Sequence, residues 1–311
     1  MLKLLVKVIT SSSLKLTKTF NLTRSRVPTN YIMYKIGTRQ SQLAVAYTEK
    51  ARNHLSIDLE TVFIHSQADL NPELTIEEMG NKGVFCKEIE TALINRDIDI
   101  ACHAFKDLTR DNDDLLEVTC VLPRSDFRDC LIGNNINPRT IGTSSPRRSY
   151  QLTELYPGAT IVPIRGNIDS RIAKQENGEY DAIVVAKAGL DTLGLTHKAS
   201  RVFGTADMLP APGQGVIALQ TRKPETPIDE TITAWCWARN DIDTWHTVMA
   251  EKEMLKEIDG DCSTPIGVLS YIEDGILNMV AKNFETNQLS LNKGPIEDYL
   301  AIGQKLGQSL K

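Results

Sequence analysis

Five arginines stand at expected junctions between a strand and a helix. Arg39 follows Gly37-Thr38 and precedes Ser41. Arg147 and Arg148 close the run Thr143-Ser144-Ser145-Pro146-Arg147-Arg148. Arg165 leads Gly166-Asn167, and Arg171 lies six residues on. A helix N-terminus presents unpaired backbone N–H groups and partial positive charge, and a guanidinium grips carboxylate or phosphate through two parallel hydrogen bonds. One such arginine reads as a solvated surface charge. Five of them point to a cleft for a small polyanion at the strand ends, where open α/β sheets hold ligands. A second group is Lys106-Asp107, directly after the apolar stretch Ile98–Cys102. A carboxylate there can stabilise a developing cation or move protons, and an adjacent lysine favours its ionised form. A surface ion pair of little consequence fits the same two residues. The third is Cys262 in Asp259-Gly260-Asp261-Cys262-Ser263-Thr264-Pro265, a tight polar loop that exposes a thiol. Its reactivity rests on the thiolate, which the aspartates disfavour unless cations offset them. A loop cysteine without a role fits those residues too.

The elements that position these groups follow from periodicity. Tyr34–Thr38 reads as a strand, and Leu43, Tyr47, Ala51 and Leu55 recur every four residues as a helix stripe. Leu59–Ile64 is a second strand, and the polar residues 66–82 form a long mobile loop. A helix carrying Phe85, Ile89 and Leu93 then leads into the strand Ile98–Cys102. The alternation restarts after Pro123: a strand ending at Gly142, a helix opened by Pro146, strand Thr160–Ile164, helix Ile168–Gln175 and strand Asp181–Ala186. This predicts α/β layers with a largely parallel sheet. Leu209–Gly215 breaks the pattern before the strand Val216–Gln220. The last third differs. Trp245, Val248, Lys252, Leu255 and Ile258 mark a helix, Ile266–Ile272 and Ile276–Ala281 a hairpin through Glu273-Asp274-Gly275, and Pro295–Leu310 a closing helix. The expected architecture is two α/β domains, 34–121 with 216–237 and 122–215, and a smaller α+β domain, 238–311, behind a basic extension, 1–33.

Bulk properties exclude several classes. The net charge is −5, and residues 1–34 hold six lysines and arginines and no acid, so the remainder is more acidic still. Together with a lack of interleaved aromatics, that argues against a nucleic-acid binder. No apolar run approaches the roughly 18 residues of a membrane span. None of the six cysteines forms a CxxC pair or stands at zinc-ligand spacing with a histidine, so no metal is expected, and reduced thiols in a reducing compartment are. The acid-free, Ser/Thr-rich start fits an organelle transit peptide, which implies a plastid or mitochondrion. It equally fits an upstream start codon before Met33, which implies the cytoplasm.

Eight strings in order carry a resemblance: IGTRQSQLA at 36–44, NKGVFCKEIE at 81–90, DIACHAFKDL at 99–108, IGTSSPRRSYQL at 141–152, RGNIDSR at 165–171, NGEYDAIVVAKAGL at 177–190, LPAPGQG at 209–215 and GDCSTPIG at 260–267. Over residues 35–282 the chain resembles the porphobilinogen deaminases. The resemblance implies two α/β domains like those of solute-binding proteins, plus a third holding the cysteine loop. It implies an enzyme that joins four porphobilinogen molecules into the linear tetrapyrrole hydroxymethylbilane, acting as a monomer. It makes Cys262 the thioether anchor of a dipyrromethane primer and Asp107 the catalytic carboxylate that also contacts that primer. Lys106, Ser144, Arg147, Arg148, Arg165 and Gly166 become cofactor contacts, and Arg39, Ser41, Arg165 and Arg171 substrate contacts. Lys82 and Phe85 belong to the loop that closes over the site. Four features depart from the family pattern. Asp191-Thr192 stands where an arginine usually follows AGL. Pro146 replaces a common leucine and Pro212 a common valine. The loop at 66–79 is about one residue short and has Ala68-Asp69 in place of Gly-Asp. Two other readings use the same cleft: a non-catalytic binding protein for a small dianion, which needs neither Asp107 nor Cys262, and an inactive family member.

Overall fold

Three sheets organise the chain. The computed structural model describes residues 33–66, 83, 85–109, 113–261 and 263–311. The first sheet gathers β1 (Tyr34–Thr38), β2 (Leu59–Phe63), β3 (Ile100–Ala104), β4 (Leu116–Val121) and the distant β10 (Ile217–Arg222) in the order β2-β1-β3-β10-β4. The second gathers β5 (Asp129–Gly133), β6 (Thr140–Gly142), β7 (Thr160–Val162), β8 (Ala182–Ala186) and β9 (Ala199–Val202) as β7-β6-β8-β5-β9. In each, β1 or β6 runs parallel to both its neighbours, while β10 in the first sheet and β5 in the second are each antiparallel to two others. The largely parallel sheet read from the alternation is therefore mixed. Sequence alternation reports which elements follow one another, and it cannot report that β10 returns from beyond the second sheet.

Helices cover the sheets: α1 (Gln42–Leu55), α2 (Lys87–Ile94), α3 (Pro146–Leu155), α4 (Ile168–Glu176), α5 (Lys187–Thr192) and α6 (Pro227–Trp237). Every residue of β10 is buried, as expected of a strand covered on both faces. Ile36, Ile100 and Leu219 pack with Ala51 and Leu55 of α1 in the first lobe, and Leu131, Ile141 and Val184 with Leu152 of α3 in the second. The strand expected at Ile98–Cys102 lies two residues later, although Ile98 is fully buried.

The last third packs α7 (Ile242–Glu257) and α8 (Tyr299–Gln308) on a three-stranded antiparallel sheet of β11 (Ile266–Glu273), β12 (Ile276–Asn283) and β13 (Gln288–Pro295). Asp274 and Gly275 both have positive φ (50° and 74°), the backbone of a two-residue hairpin turn. Where one closing helix was expected over Pro295–Leu310, β13 extends to Pro295 and α8 begins only at Tyr299. Pairing with β12 holds the chain extended as far as Pro295, and Ile296–Asp298 form a 3₁₀ turn before the helix. Gly303 lets the two helices touch, because a Cβ there would lie 2.2 Å from the Ala250 carbonyl. The architecture is the expected one: two α/β lobes and a smaller α+β region.

Candidate active site

The strand ends that bear the chemistry face one another across a cleft of about 600 Å³. The first lobe contributes Arg39, Ser41, Lys106 and Asp107. The second contributes Ser144, Arg147, Arg148, Arg165, Gly166 and Arg171, and the small region lends Leu255, Gly260, Asp261, Thr264 and Ile266. Cys262 and Lys82 lie outside the described residues, as does most of the loop at 66–82. On either side of position 262, the Asp261 carboxylate accepts from Ser263 N (2.8 Å) and Ser263 Oγ (2.5 Å), and Asp261 N donates to Thr264 Oγ1 (2.9 Å).

Local structure explains each placement. Ser41 caps α1 by accepting from Ala44 N at 3.3 Å, and Ser145 caps α3 by accepting from Arg148 N at 3.5 Å. Pro146 takes the first position of α3, where its missing N–H costs nothing, so proline there is benign. Arg39 leaves β1 and lays its guanidinium 4.8 Å from the centre of the Phe85 ring. Lys106 and Asp107 occupy a short 3₁₀ turn, Phe105–Asp107, at the end of β3. Gly166 has φ +107°, a conformation that favours glycine, and its carbonyl accepts from Arg171 Nε at 2.7 Å.

Electrostatics single out Asp107. Burial pushes its carboxyl above the usual range, against the pull of Lys106, Arg39 and Arg171. Lys106 is pushed down to about 8, by burial first and then by Arg148. Arg171 falls to about 10 through burial and the nearby Arg148 and Arg165. The half-buried Asp107 carboxylate thus sits amid cations that repel each other.

Three arrangements were not legible in the sequence. Arg147 and Arg148 share Asp129, a fully buried carboxylate at 2.8 and 2.7 Å. Burial alone would raise Asp129, but the two arginines outweigh it and hold it well below the carboxylate range. Gln214 bridges the lobes, donating to Asp129 Oδ1 (2.9 Å) and accepting from Lys106 Nζ (3.2 Å). Arg124, on the crossing between lobes, pairs with the buried Glu251 of α7 at 2.7 Å. The signals were present as Arg128-Asp129 and as Gln214 in LPAPGQG, but only contact distinguishes them from ordinary loop polarity. Ser144, expected to face a ligand, exchanges hydrogen bonds with the Ile164 backbone (2.7 and 3.1 Å). At the departure from the family pattern, Lys50 Nζ donates to Thr192 Oγ1 at 2.8 Å, joining α1 to α5.

A family model for the porphobilinogen deaminase dipyrromethane cofactor binding domain matches residues 34–230, and one for the porphobilinogen deaminase C-terminal domain matches residues 245–311. The chain belongs to the porphobilinogen deaminase family. Porphobilinogen deaminase of Acetivibrio thermocellus is 38% identical over 249 residues, covering 77% of this chain and 83% of that one. The enzyme of Alkaliphilus oremlandii is 33% identical over 290 residues, covering 89% and 94%. Among solved structures, the VFT2 domain of Bordetella pertussis BvgS aligns with a TM-score of 0.39 at 14% identity, over 70% of this chain and 91% of that domain. The chain is accordingly a transferase of tetrapyrrole biosynthesis, of a family whose cofactor is dipyrromethane joined to a cysteine. Among the described residues no helix is long and apolar enough to cross a membrane, and no cluster of three or more ligating side chains could hold a metal.

Proposed function

We propose that the cleft deaminates porphobilinogen and joins four units head to tail into hydroxymethylbilane, on a dipyrromethane primer anchored at Cys262. One observation carries this: Asp107, half-buried in the cleft and surrounded by cations of both lobes, is an acceptor for positive charge in a site otherwise arranged for anions. The lining fits the primer, which is two pyrroles bearing carboxylate arms. Arg147 Nε is buried without a partner among the described residues, and Gly260, Asp261 and Thr264 bring the turn around position 262 to the cleft. When bound, the primer supplies a terminal pyrrole carbon as nucleophile and carries the growing chain.

The division of roles is the one the family resemblance implies, and the gathering of these residues in one cleft supports it. Arg165 and Arg171, with Arg39 and Ser41 opposite, take the carboxylate arms of the incoming monopyrrole. Lys106, Arg147, Arg148, Gly166 and Ser144 line the primer's side, where Asp129 holds the two arginine forks in place. Asp107 accepts the pyrrole N–H and stabilises the positive charge that grows as ammonia departs. It is preorganised beside cations of both lobes, so little reorganisation is needed as the charge develops. We read 34–121 with 216–237, 122–215 and 238–311 as three domains, the chain crossing twice between the first two. We also read the protein as a monomer, as its family resemblance implies, and as cytoplasmic, which five described buried cysteines that form no disulfide support through a reducing compartment.

Intact mass of the purified protein tests the anchor. The wild type should exceed its sequence mass by two linked pyrrole units and Cys262→Ala should not. An unmodified wild type, even after incubation with porphobilinogen, sinks the proposal. In Asp107→Ala, turnover should fall by several orders of magnitude while the fold is kept, and near-normal turnover would remove Asp107 from the mechanism.

A further inference from the structure

Tyr47 stands in the site without a role in the scheme above. The helix stripe Leu43, Tyr47, Ala51, Leu55 reads as packing, and its last two members are buried in the core of the first lobe. Leu43 and Tyr47, on the first turns of α1, are only half-buried and line the cleft. Tyr47 also lines a side pocket of about 60 Å³ that opens beside Asp107 and shares Arg39, Ser41 and Phe85 with the main cleft. A pocket of that size takes a few waters or one short polar arm.

The ring is held there. It packs against the core cluster that includes Ile36, Ala51 and Cys102. One turn earlier, Leu43 meets α5 at Gly189, where a Cβ would lie 3.6 Å from Leu43 Cδ2. The phenol also stays protonated, since burial first and the negative Asp107 second push it well above its ordinary value. Tyr47 is therefore a neutral, fixed hydrogen-bond donor with two torsions to order. Its neighbours Arg39 and Ser41 are donors too, while Asp107 is an acceptor, so this corner separates an anionic arm from a cationic one.

We propose that Tyr47 orients the incoming porphobilinogen by donating its phenolic O–H to the carboxylate arm seated in the side pocket beside Arg39 and Ser41, which turns the aminomethyl carbon toward Asp107. This rests on the reading that the cleft takes porphobilinogen. Porphobilinogen carries carboxylates and an aminomethyl group, and only a fixed orientation brings the departing ammonia to the one carboxylate. A neutral donor adds direction without further charge among crowded cations.

Steady-state kinetics of Tyr47→Phe test it, with intact mass taken on the same preparation. Loss of a hydrogen bond to a charged carboxylate should raise KM for porphobilinogen by about tenfold or more, with a smaller fall in kcat from lost orientation and the primer mass unchanged. Tyr47→Gln, which restores a donor, should recover part of the loss. A monopyrrole analogue with methyl in place of the arm Tyr47 holds should be an equally poor ligand for wild type and Tyr47→Phe. An unchanged KM in Tyr47→Phe overturns the assignment, and so does a fall in kcat at constant KM, which would mean that Tyr47 acts through Asp107. Either result leaves the proposed function standing, because the variant would still convert porphobilinogen. A wild type that does not convert it would fail that function first.

Discussion

Asp129 and Asp229 each hold two arginines, and the two clusters serve different ends. Asp229 is the third residue of α6, closing a reciprocal cap with Thr226 and taking Arg222 Nε at 2.8 Å and Arg96 at 3.1 Å. Arg222 spends four of its five N–H donors within the protein, on Asp229, on the Leu93 and Ile98 carbonyls and on Asp99. Asp129 also sits between two buried guanidiniums, but there the donors are not exhausted. Arg148 uses three of five, on Asp129 twice and on the Val184 carbonyl. Arg147 uses two, on Leu209 O and Asp129. Both Arg147 and Arg148 line the cleft, and Arg222 does not. A buried ion pair is weak evidence for net stability. What distinguishes these two is what the arginines have left to offer. The Asp229 cluster closes on itself and fastens β10 to α2 and α6. The Asp129 cluster fixes its guanidiniums and leaves donors for a ligand.

The sharpest way to break this contrast is to remove the carboxylates. Asp129→Ala strands two buried guanidiniums and should lower unfolding stability in urea by about 3–5 kcal/mol, and its intact mass should lack the primer. Asp229→Ala takes a partner from one buried guanidinium, Arg222, and from the exposed Arg96, so it should lose less stability and keep full primer mass. A primer lost from both variants would mean that occupancy follows stability alone, and the distinction would fall. A smaller effect comes from pH. Lys106, drawn down to about 8 beside the Asp129 cluster, should lose its proton as pH rises through that value, and kcat/KM should fall with it, since that ratio reports the free enzyme. On the acid side, kcat/KM should fall as Asp107 protonates, at a pH above the ordinary carboxylate range because burial raises that group. Lys106→Gln should flatten the alkaline limb and move the acid limb to higher pH, because Lys106 pulls the Asp107 carboxyl down. An alkaline limb unchanged in that variant would assign it elsewhere.

Much of this molecule was legible in one dimension. The limits of β1 and of α3 follow from apolar spacing and Pro146, because local sterics and one-sided burial act over a few residues. The hairpin turn at Asp274-Gly275 was marked by the pair of residues that tolerate positive φ. Each of Arg39, Lys106, Asp107, Arg147, Arg148, Arg165 and Arg171 was singled out by its type and its place at an element's end, and the fold brings these residues to one cleft. The sequence by itself determined that anion-binding groups and a carboxylate would emerge at strand ends, since strand and helix periodicities are local properties.

Only the tertiary structure decided how those groups are used. It placed β10 inside the first sheet, gave Arg147 and Arg148 a common buried anion from another strand, and let Gln214 touch both lobes. It also turned the first half of the α1 stripe toward the cleft, so that Tyr47 faces Asp107 rather than the core alone. Each of these rests on contacts between residues tens of positions apart, and the free energy of a buried charge depends on every neighbour that replaces its water. Spacing along the chain holds no record of those neighbours.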